Sequence, residues 1–302
     1  MANIVKRIPG MLRDAFVLLR QNNPLILASS TAFFATFSLS PIIIILVNVF
    51  GIYFKSETIS DELFHEIQSV FGAQTTKQIE SIVDNFRSLN TGWWITVAGS
   101  VFLIFVATTL LSVAKQAIHQ IWHIKEKQEH RFRFTLTERL IGVAMILSIG
   151  VLFVVSLLMD TTVTFLHDYL HQIIPAIDSS VIKLIQTAFS IIVVTAWFAV
   201  LFKMLPDASV HWKVAIPGGL LTGALFTLGK YILGRFLVYS NVATIFGTSA
   251  AIALLLLFIF YSSMIVYYGA AFTYVYGKAV NKPLRAGKRG EEYEMNIIPQ
   301  KK

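Results

Sequence analysis

Six long runs of apolar residues dominate the chain. They cover residues 25–54, 93–114, 140–159, 184–202, 214–238 and 250–276. Each run has roughly the 20 residues that a helix needs to cross the hydrocarbon core of a bilayer. The pattern therefore predicts an all-α, polytopic membrane protein with six transmembrane helices. The first run is the longest, and Pro41 inside it is a predicted point at which the helix bends or breaks.

The segments outside these runs predict smaller helices and a tail. In residues 1–24, apolar residues alternate at helical spacing with basic ones, which predicts an interfacial amphipathic helix on the cytoplasmic leaflet. In the loop 55–91, two similar apolar series predict a small helical cap over the transmembrane domain 25–280. The series are Leu63, Ile67, Val70 and Phe71, then Ile79, Ile82, Val83 and Phe86. Residues 281–302 are charged and contain Pro and Gly, so we expect a disordered cytoplasmic tail.

The composition agrees with a lipid environment. Charged residues make up 14% of the chain and the apolar set 55%, whereas a soluble domain has about 25% charged residues. This excludes a disordered protein and argues against an ordinary soluble enzyme, whose surface needs more charge. The chain has no cysteine, which excludes disulfides, a thiolate metal site and a cysteine nucleophile.

The basic residues are distributed unequally between the two sides. With six spans both termini share one side, and that side holds 19 Lys and Arg residues against 4 on the other. Because Lys and Arg are enriched in cytoplasmic loops, both termini are predicted to be cytoplasmic and the loop 55–91 external. Trp122 and Trp212 then flank spans at the inner interface. The count includes six residues expected between the second and third spans, namely Lys115, Lys125, Lys127, Arg131, Arg133 and Arg139.

Two charged residues, Lys230 and Arg235, lie inside the fifth predicted span. Charges at such positions are costly and usually face a cavity or a partner. One interpretation is a basic cavity that binds an anionic headgroup, bordered by the polar and proline positions Ser38, Pro41 and Asn48 of the first span. The alternative is that both basic side chains extend to the outer headgroups.

Small residues recur at every fourth position in two spans. The stripes are Ala28, Ala32, Thr36 and Ser40, and then Gly219, Gly223 and Thr227. Such stripes allow helices to approach closely, so helix packing is the favoured interpretation. A polar pathway along the first span is the alternative.

Two histidine pairs have the spacing of neighbouring residues on a helix. They are His119 with His123 and His167 with His171, and this spacing suits a metal site. No third ligand stands at a convincing spacing, so we interpret them as interface histidines and expect no metal. The chain also has no phosphate-binding loop, nucleophile elbow or dinucleotide-binding pattern. We therefore expect no cofactor, no catalytic residue and no enzymatic activity.

Three segments of the chain match motifs of a known family. The first is A-F-F at 32–34 with S-L-S-P at 38–41. The second is L-P at 205–206 with V-H-W-K at 210–213 and I-P-G-G at 216–219. The third is F-G-T at 246–248 with F-Y-S-S at 260–263 and Y-G-A at 268–270. Together they resemble the YihY/virulence factor BrkB family of bacterial inner-membrane proteins. Phe246 and Ala271 stand where that family usually has Tyr and Glu, so a carboxylate common within its membrane domain is missing here.

The resemblance implies an inner-membrane protein linked to virulence and envelope integrity, and in some members to lipid export. It predicts a transporter or flippase-like carrier of an amphipathic anionic envelope component such as a lipid. Membrane lipids and anionic headgroups are then the expected partners. The alternative is an envelope-integrity protein that transports nothing.

An older label of the same family, ribonuclease BN, implies a tRNA-processing nuclease. Metal-dependent RNA cleavage needs clustered carboxylates or histidines, and the acidic residues of the predicted cytoplasmic side are scattered among basic ones. Anionic lipid attracts basic segments at about 1 kcal/mol per residue, so the basic face does not require RNA. The residues therefore argue against a nuclease, and no nucleic-acid partner is expected.

Single cysteines test the predicted orientation, because the chain has none of its own. In intact cells an impermeant thiol reagent should label Ser69→Cys but not Gln300→Cys, and the latter should react only after permeabilisation. Labelling of both variants in intact cells, or of Gln300→Cys alone, would contradict the orientation.

Overall fold

A computed structural model describes residues 7–50, 61, 63–65, 68, 73–88, 93–126, 139–152, 154–155, 179–239, 250–287 and 290–293. The helices are α1 (Ile8–Gln21), α2 (Pro24–Phe50), α3 (Ala73–Ser88), α4 (Trp93–Ile121), α5 (Arg139–Leu152), α6 (Ser179–Met204), α7 (Trp212–Tyr239) and α8 (Ala250–Ala279). The strands are β1 (Ile124–Glu126), β2 (Ala208–Ser209), β3 (Arg285–Ala286) and β4 (Gly290–Glu292).

Among the described residues, four helices are long and apolar enough to cross a bilayer. Their apolar segments are Pro24–Val47, Val101–Ile121, Thr187–Met204 and Ile252–Ala279. Helix α5 is a shorter apolar helix, and α7 has 28 residues, about 42 Å at 1.5 Å per residue. The helical, multi-span character is therefore confirmed, whereas the number of six spans stays a prediction.

Helix α2 continues through Pro41 without a break. It runs as one helix of 27 residues, and Pro41 itself is buried. A proline inside a membrane helix is tolerated where neighbouring groups accommodate the freed backbone carbonyl. The expectation of a broken helix is therefore wrong, because Pro41 lies within the packed bundle.

Glycines allow α7 to approach both of its neighbours. A Cβ atom on Gly219 would lie 2.7 Å from backbone atoms of Thr195 and Ala199 in α6. On the other side of α7, a Cβ on Gly218 would overlap the Thr273 hydroxyl of α8. The glycine stripe predicted for helix packing is confirmed, since α7 packs mainly against α6 and α8.

Polar side chains of α2 form hydrogen bonds to neighbouring helices. Ser38 Oγ donates to the carbonyl of Val106 in α4 over 2.8 Å, and the hydroxyls of Thr31 and Tyr267 of α8 bond to each other. Both residues of α2 are buried. In lipid, polar groups must find partners inside the protein, so these bonds fix α2 between α4 and α8.

Helix α1 is amphipathic, as predicted. It buries Met11, Ala15 and Leu19 against α8, and the Tyr268 hydroxyl of α8 donates to the carbonyl of Leu12 over 3.0 Å. Phe16 on its outer side is 58% exposed. Its location on a membrane surface stays a prediction.

In the loop 55–91, the described residues are helical. Helix α3 buries Ile79 and Val83 and contacts α2 and α8. Leu63 and Phe64, in the preceding helical residues, are also buried. Ile82 was placed on the same apolar face, but its side chain is 51% exposed.

The four strands lie at one end of the bundle, which we call the strand end. Strand β1 pairs antiparallel with β4, with Ile124 opposite Glu292, and β2 pairs antiparallel with β3, with Ser209 opposite Arg285. Helix α1 ends there too, because Gln120 Nε2 donates to the carbonyl of Asn22. The N-terminal helix and the C-terminal strands thus share one end, as an even number of spans requires.

These strands correct the expectation of disorder after residue 280. Residues 285–286 and 290–292 are ordered because they pair with β1 and β2, which lie far away in the sequence. Residues 294–302 are outside the described part of the chain.

The α7–α8 contact can be tested at Gly269, where a Cβ atom would overlap the Thr222 hydroxyl of α7. Overpacking a core costs about 1–3 kcal/mol, so Gly269→Val should clearly lower the melting temperature of the detergent-purified protein. The matched control is Gly10→Ala, since nothing lies within 4 Å of a Cβ there. Equal melting temperatures for Gly269→Val and the wild type would contradict the close approach of α7 and α8.

Candidate functional site on the polar face of α4

Helix α4 carries a polar face within its apolar segment Val101–Ile121. Thr108, Ser112, Lys115 and His119 follow at intervals of four, three and four residues, which places them on one side of an α-helix. All of them are buried except Ser112, which is half-buried. This spacing is visible in the sequence, but the predicted span ended at residue 114 and so separated Lys115 and His119 from the rest.

Arg139, the first residue of α5, reaches the same face. Its Nη1 atom lies 2.7 Å from Thr108 Oγ1, 3.0 Å from Thr109 Oγ1 and 2.9 Å from the Phe105 carbonyl. The guanidinium carbon is 4.2 Å from the centre of the Phe105 ring. Thr109 is about 18 Å from the end of α4 at Ile121, at 1.5 Å per residue. The guanidinium therefore lies deep within the length of the apolar segment.

Two residues predicted for a cytoplasmic loop are thus part of the bundle. Lys115 lies inside α4 and is buried, and Arg139 begins a helix that starts alongside α4 rather than beyond its end. The placement of both residues in a loop is wrong. Of the other four basic residues assigned to that segment, Lys125 lies in β1, and those at positions 127, 131 and 133 are outside the described residues.

A water-sized crevice lies where α4, α5 and the end of α6 meet. Its lining residues are Leu111, Ser112, Lys115, Ile141, Gly142 and Leu205. Helix α5 comes close at Gly142, where a Cβ atom would lie 2.9 Å from Thr108 Cγ2. We call the region bounded by Thr108, Ser112, Lys115, Arg139 and Gly142 the α4–α5 groove. It has a basic side chain at each end, with Thr108 beside Arg139 and the Ser112 hydroxyl between the two basic residues.

At the strand end of the groove, Lys115 forms a buried ion pair. Its Nζ atom lies 2.7 Å from Asp207 Oδ2, and the two side chains are only 6% and 13% exposed. Asp207 follows Leu205-Pro206 in the connection between α6 and β2. Its backbone N–H donates to Nε2 of His119 over 2.9 Å, so this nitrogen of His119 carries no proton. Lys115 and His119, one turn apart on α4, and Asp207 from a distant segment therefore form one cluster.

His123 does not join His119. It lies in the turn after α4 with φ 55°, and its ring meets the edges of Tyr274 and Tyr293, with centroids 5.9 and 5.8 Å apart. Lys278 lies over the Tyr274 ring. Burial lowers the pKa of His123, and the positive charge of Lys278 lowers it further. His119 and His123 have separate partners, and the second pair, His167 and His171, lies outside the described residues.

Within the described part of the chain, no three side chains of His, Asp or Glu come close enough to hold a metal ion. Pairing of β1 with β4 sets Glu291 opposite Lys125 and Glu292 opposite Ile124. The acidic residues of the strand end are therefore placed beside basic and apolar ones, and no metal centre is assigned there.

The predicted binding residues lie on different helix contacts. Ser38 bonds to α4, whereas Lys230 is half-buried on α7 beside Gly229, where a Cβ would overlap Tyr261 of α8. Helix α2 packs mainly on α4 and α8, and α7 on α6 and α8. The structure thus does not bring Ser38 and Pro41 together with Lys230 in one such contact. The side chains of Asn48 and Arg235 are outside the described residues, so the cavity they were predicted to form stays a prediction.

The two tryptophans predicted for the inner interface differ in how far their side chains are exposed. Trp212 at the start of α7 is 49% exposed, as an interfacial side chain should be. Trp122 is fully buried, and its Nε1 donates to the carbonyl of Ala270 in α8 over 2.8 Å. Its interfacial assignment is wrong. Ala271 is fully buried one residue further along α8.

The sequence profile of a family described as virulence factor BrkB matches residues 16–292 of this chain. The chain belongs to the virulence factor BrkB family. Similar proteins include a UPF0761 membrane protein of Pseudomonas paraeruginosa, 25% identical over 248 residues, which are 80% of this chain and 57% of that protein. Another, from Pseudoalteromonas translucida, is 26% identical over 252 residues, covering 82% of this chain and 79% of that protein.

The chain spans little more than half the length of the Pseudomonas relatives, at 57%. No solved structure matches it. The names of the relatives describe membrane proteins and no reaction or substrate. For this BrkB-family protein, function must therefore be argued from its own residues.

The environment of His123 predicts a pH-dependent stability at the strand end. Burial holds the pKa of His123 below its ordinary value of 6.5, so below that pH the unfolded chain binds more protons than the folded one. Stability rises with pH wherever the unfolded state binds more protons. The melting temperature should therefore decrease on acidification from about pH 8 to about pH 5, across the unperturbed pKa.

The control is His123→Asn, because Asn tolerates a positive φ and does not titrate in this range. Its melting temperature should depend less on pH than that of the wild type. The same pH dependence in both proteins would show that His123 is not the group responsible.

Proposed function

We propose that this BrkB-family protein is a carrier for an anionic amphipathic component of the cell envelope, such as a lipid, whose headgroup moves along the α4–α5 groove. The observation that carries the proposal is the guanidinium of Arg139 against Thr108, Thr109 and Phe105, deep in the apolar segment of α4. A protein that served only as a scaffold would not need a cation at that depth.

The guanidinium of Arg139 is suited to bind an anionic headgroup. An arginine near the centre of a bilayer costs about 2.5–3.5 kcal/mol on insertion scales. The two threonine hydroxyls, the Phe105 carbonyl and the Phe105 ring offset part of this cost. These contacts are with neutral groups and do not themselves cancel the charge of the guanidinium. A guanidinium binds phosphate or carboxylate oxygens in a paired geometry.

The groove offers a second cation at a different depth. Thr109 and Lys115 are six residues apart on α4, about 9 Å along the helix axis. Ser112 places a hydroxyl group between the two charges. A headgroup that leaves one cation would thus meet a polar group and then the other cation, and the acyl chains would remain in lipid.

Lys230 extends the proposal towards the opposite end of the bundle. It is 18 residues after Trp212, about 27 Å along α7. With the predicted orientation, Lys115 lies near the cytoplasmic leaflet and Lys230 near the outer leaflet. We propose that Lys230 contacts the anionic headgroup there, and that Arg235 and Asn48 belong to the same site. The other two predicted residues, Ser38 and Pro41, are buried in the bundle away from Lys230 and are not included in it.

Transport can be measured with fluorescent lipids in vesicles that contain the purified protein, using an impermeant quencher of the outer leaflet. The wild type should accelerate the transfer of a labelled phosphatidylglycerol but not of a labelled phosphatidylcholine. Arg139→Met should slow transfer about tenfold or more, because a hydrogen bond to a charged group contributes about 1.5–3 kcal/mol. Arg139→Lys should keep part of the rate.

The matched control is Arg13→Met, because Arg13 is exposed on α1. It should transfer lipid at the wild-type rate. If the folded wild type accelerates neither lipid, the carrier proposal fails and a protein of envelope integrity is favoured instead. Equal transfer by Arg139→Met and the wild type would remove the groove from the pathway.

Anionic lipid that co-purifies with the protein tests the role of Lys230. Lys230→Met should retain less phosphatidylglycerol than the wild type, and Lys230→Arg should retain most of it because the charge persists. The control is Lys213→Met, since Lys213 is exposed at the start of α7. Unchanged lipid in Lys230→Met would show that this side chain only extends to the membrane surface.

A further inference from the structure

Asp207 is held by its backbone independently of its side chain. Its N–H donates to His119 Nε2 over 2.9 Å, and its carbonyl accepts from the N–H of Gly287 over 2.8 Å. The adjoining Ala208 and Ser209 pair with β3. These bonds fix the main chain between α4 and the C-terminal strands, whatever the carboxylate contacts.

The carboxylate itself is less constrained. Its Oδ2 atom is 2.7 Å from Lys115 Nζ, but it has no well-aligned hydrogen-bond partner among the described residues. A rotation about the side-chain bonds of Asp207 would therefore separate the two charges without breaking a backbone contact. Such a change is small compared with the movement of a helix.

The ammonium of Lys115 borders two regions. Its Nζ contacts Asp207, and the residue also lines the crevice with Ser112, Gly142 and Leu205. The crevice is part of the α4–α5 groove, which has Arg139 at its other end. A ligand oxygen that enters the crevice would thus come close to Lys115.

We propose that Lys115 is a binding site for the phosphate or carboxylate group of an anionic ligand, and that Asp207 is the internal anion that occupies this site until the ligand displaces it. This inference rests on the proposed carrier function and names the residue that receives the headgroup. A buried ammonium needs a negative partner, and exchange of one anion for another keeps it paired throughout.

The exchange makes binding at Lys115 selective for the net charge of the ligand. While Asp207 is in place it competes with the ligand, so only an anion that binds Lys115 in preference to Asp207 enters. A zwitterionic headgroup brings its own cation close to Lys115 and is therefore disfavoured. The pair thus selects for net negative charge.

The test measures the binding of dioctanoyl phosphatidylglycerol to the detergent-purified full chain, with dioctanoyl phosphatidylcholine as the zwitterionic comparison. Asp207→Asn should bind the anionic lipid several-fold more tightly than the wild type, because the competing charge is gone. Lys115→Met should lose saturable binding of this lipid. Unchanged or weaker binding by folded Asp207→Asn would overturn the proposal.

The double variant Lys115→Met/Asp207→Asn is the control for misfolding, because it removes both charges of the buried pair. It should melt near the wild-type temperature and still fail to bind the anionic lipid. If it binds as tightly as the wild type, Lys115 is not the site. Should Asp207→Asn alone fail to fold, Asp207→Glu replaces it, and the longer carboxylate should change the affinity for the anionic lipid but not for the zwitterionic one.

Competition with inorganic phosphate shows whether the site recognises the phosphate group alone or the headgroup of a lipid. Displacement of the lipid by phosphate assigns recognition to the phosphate group itself. Resistance to phosphate, with displacement by other anionic lipids, assigns it to the headgroup together with its acyl chains. Binding and transport are also separable, because tighter binding by Asp207→Asn can occur even if the Arg139 variants show no transport.

Discussion

The buried ion pair between Lys115 and Asp207 joins α4 to the connection after α6, 92 positions later in the sequence. Removing one partner of a buried pair costs about 3–5 kcal/mol, because the other charge is left unpaired. The buried charge of Lys115 therefore requires an anion beside α4, and the backbone bonds of Asp207 to His119 and Gly287 hold the connection after α6 and the C-terminal strands where the carboxylate can supply it. The pairing of β2 with β3 follows from this arrangement, and β4 reaches β1 two residues after α4 ends.

Away from the strand end, the contacts between helices depend on small residues and hydrogen bonds rather than on charge. Between helices in lipid, the hydrophobic effect adds little, and small residues and internal hydrogen bonds determine the contacts. Gly218 and Gly219 allow α7 to meet α8 and α6, and Ser38 and Thr31 join α2 to α4 and α8. The α4–α5 groove differs from these contacts, since Gly142 lets α5 approach a face that carries hydroxyls and two cations.

The candidate site was only partly accessible to sequence analysis. The spacing of Thr108, Ser112, Lys115 and His119 is a periodic signal that could have identified a polar helix face. The role of Arg139 had no such signal, because its depth depends on where α5 begins alongside α4. The partner of Lys115 could not be found either, since Asp207 is 92 positions away and meets it only through the packing of α4, α5 and the end of α6.

The amino-acid sequence by itself determined the helical membrane class, the amphipathic helix before the first span and the helices of the loop 55–91. These features arise from local hydrophobic periodicity, which a single segment carries whatever its neighbours are. Only the tertiary structure decided that Trp122 is buried, that the segment after residue 280 forms strands and that Lys115 and Arg139 share one groove. Each of these depends on a partner from a distant segment, because burial, strand pairing and charge neutralisation are properties of contacts and not of one stretch of chain.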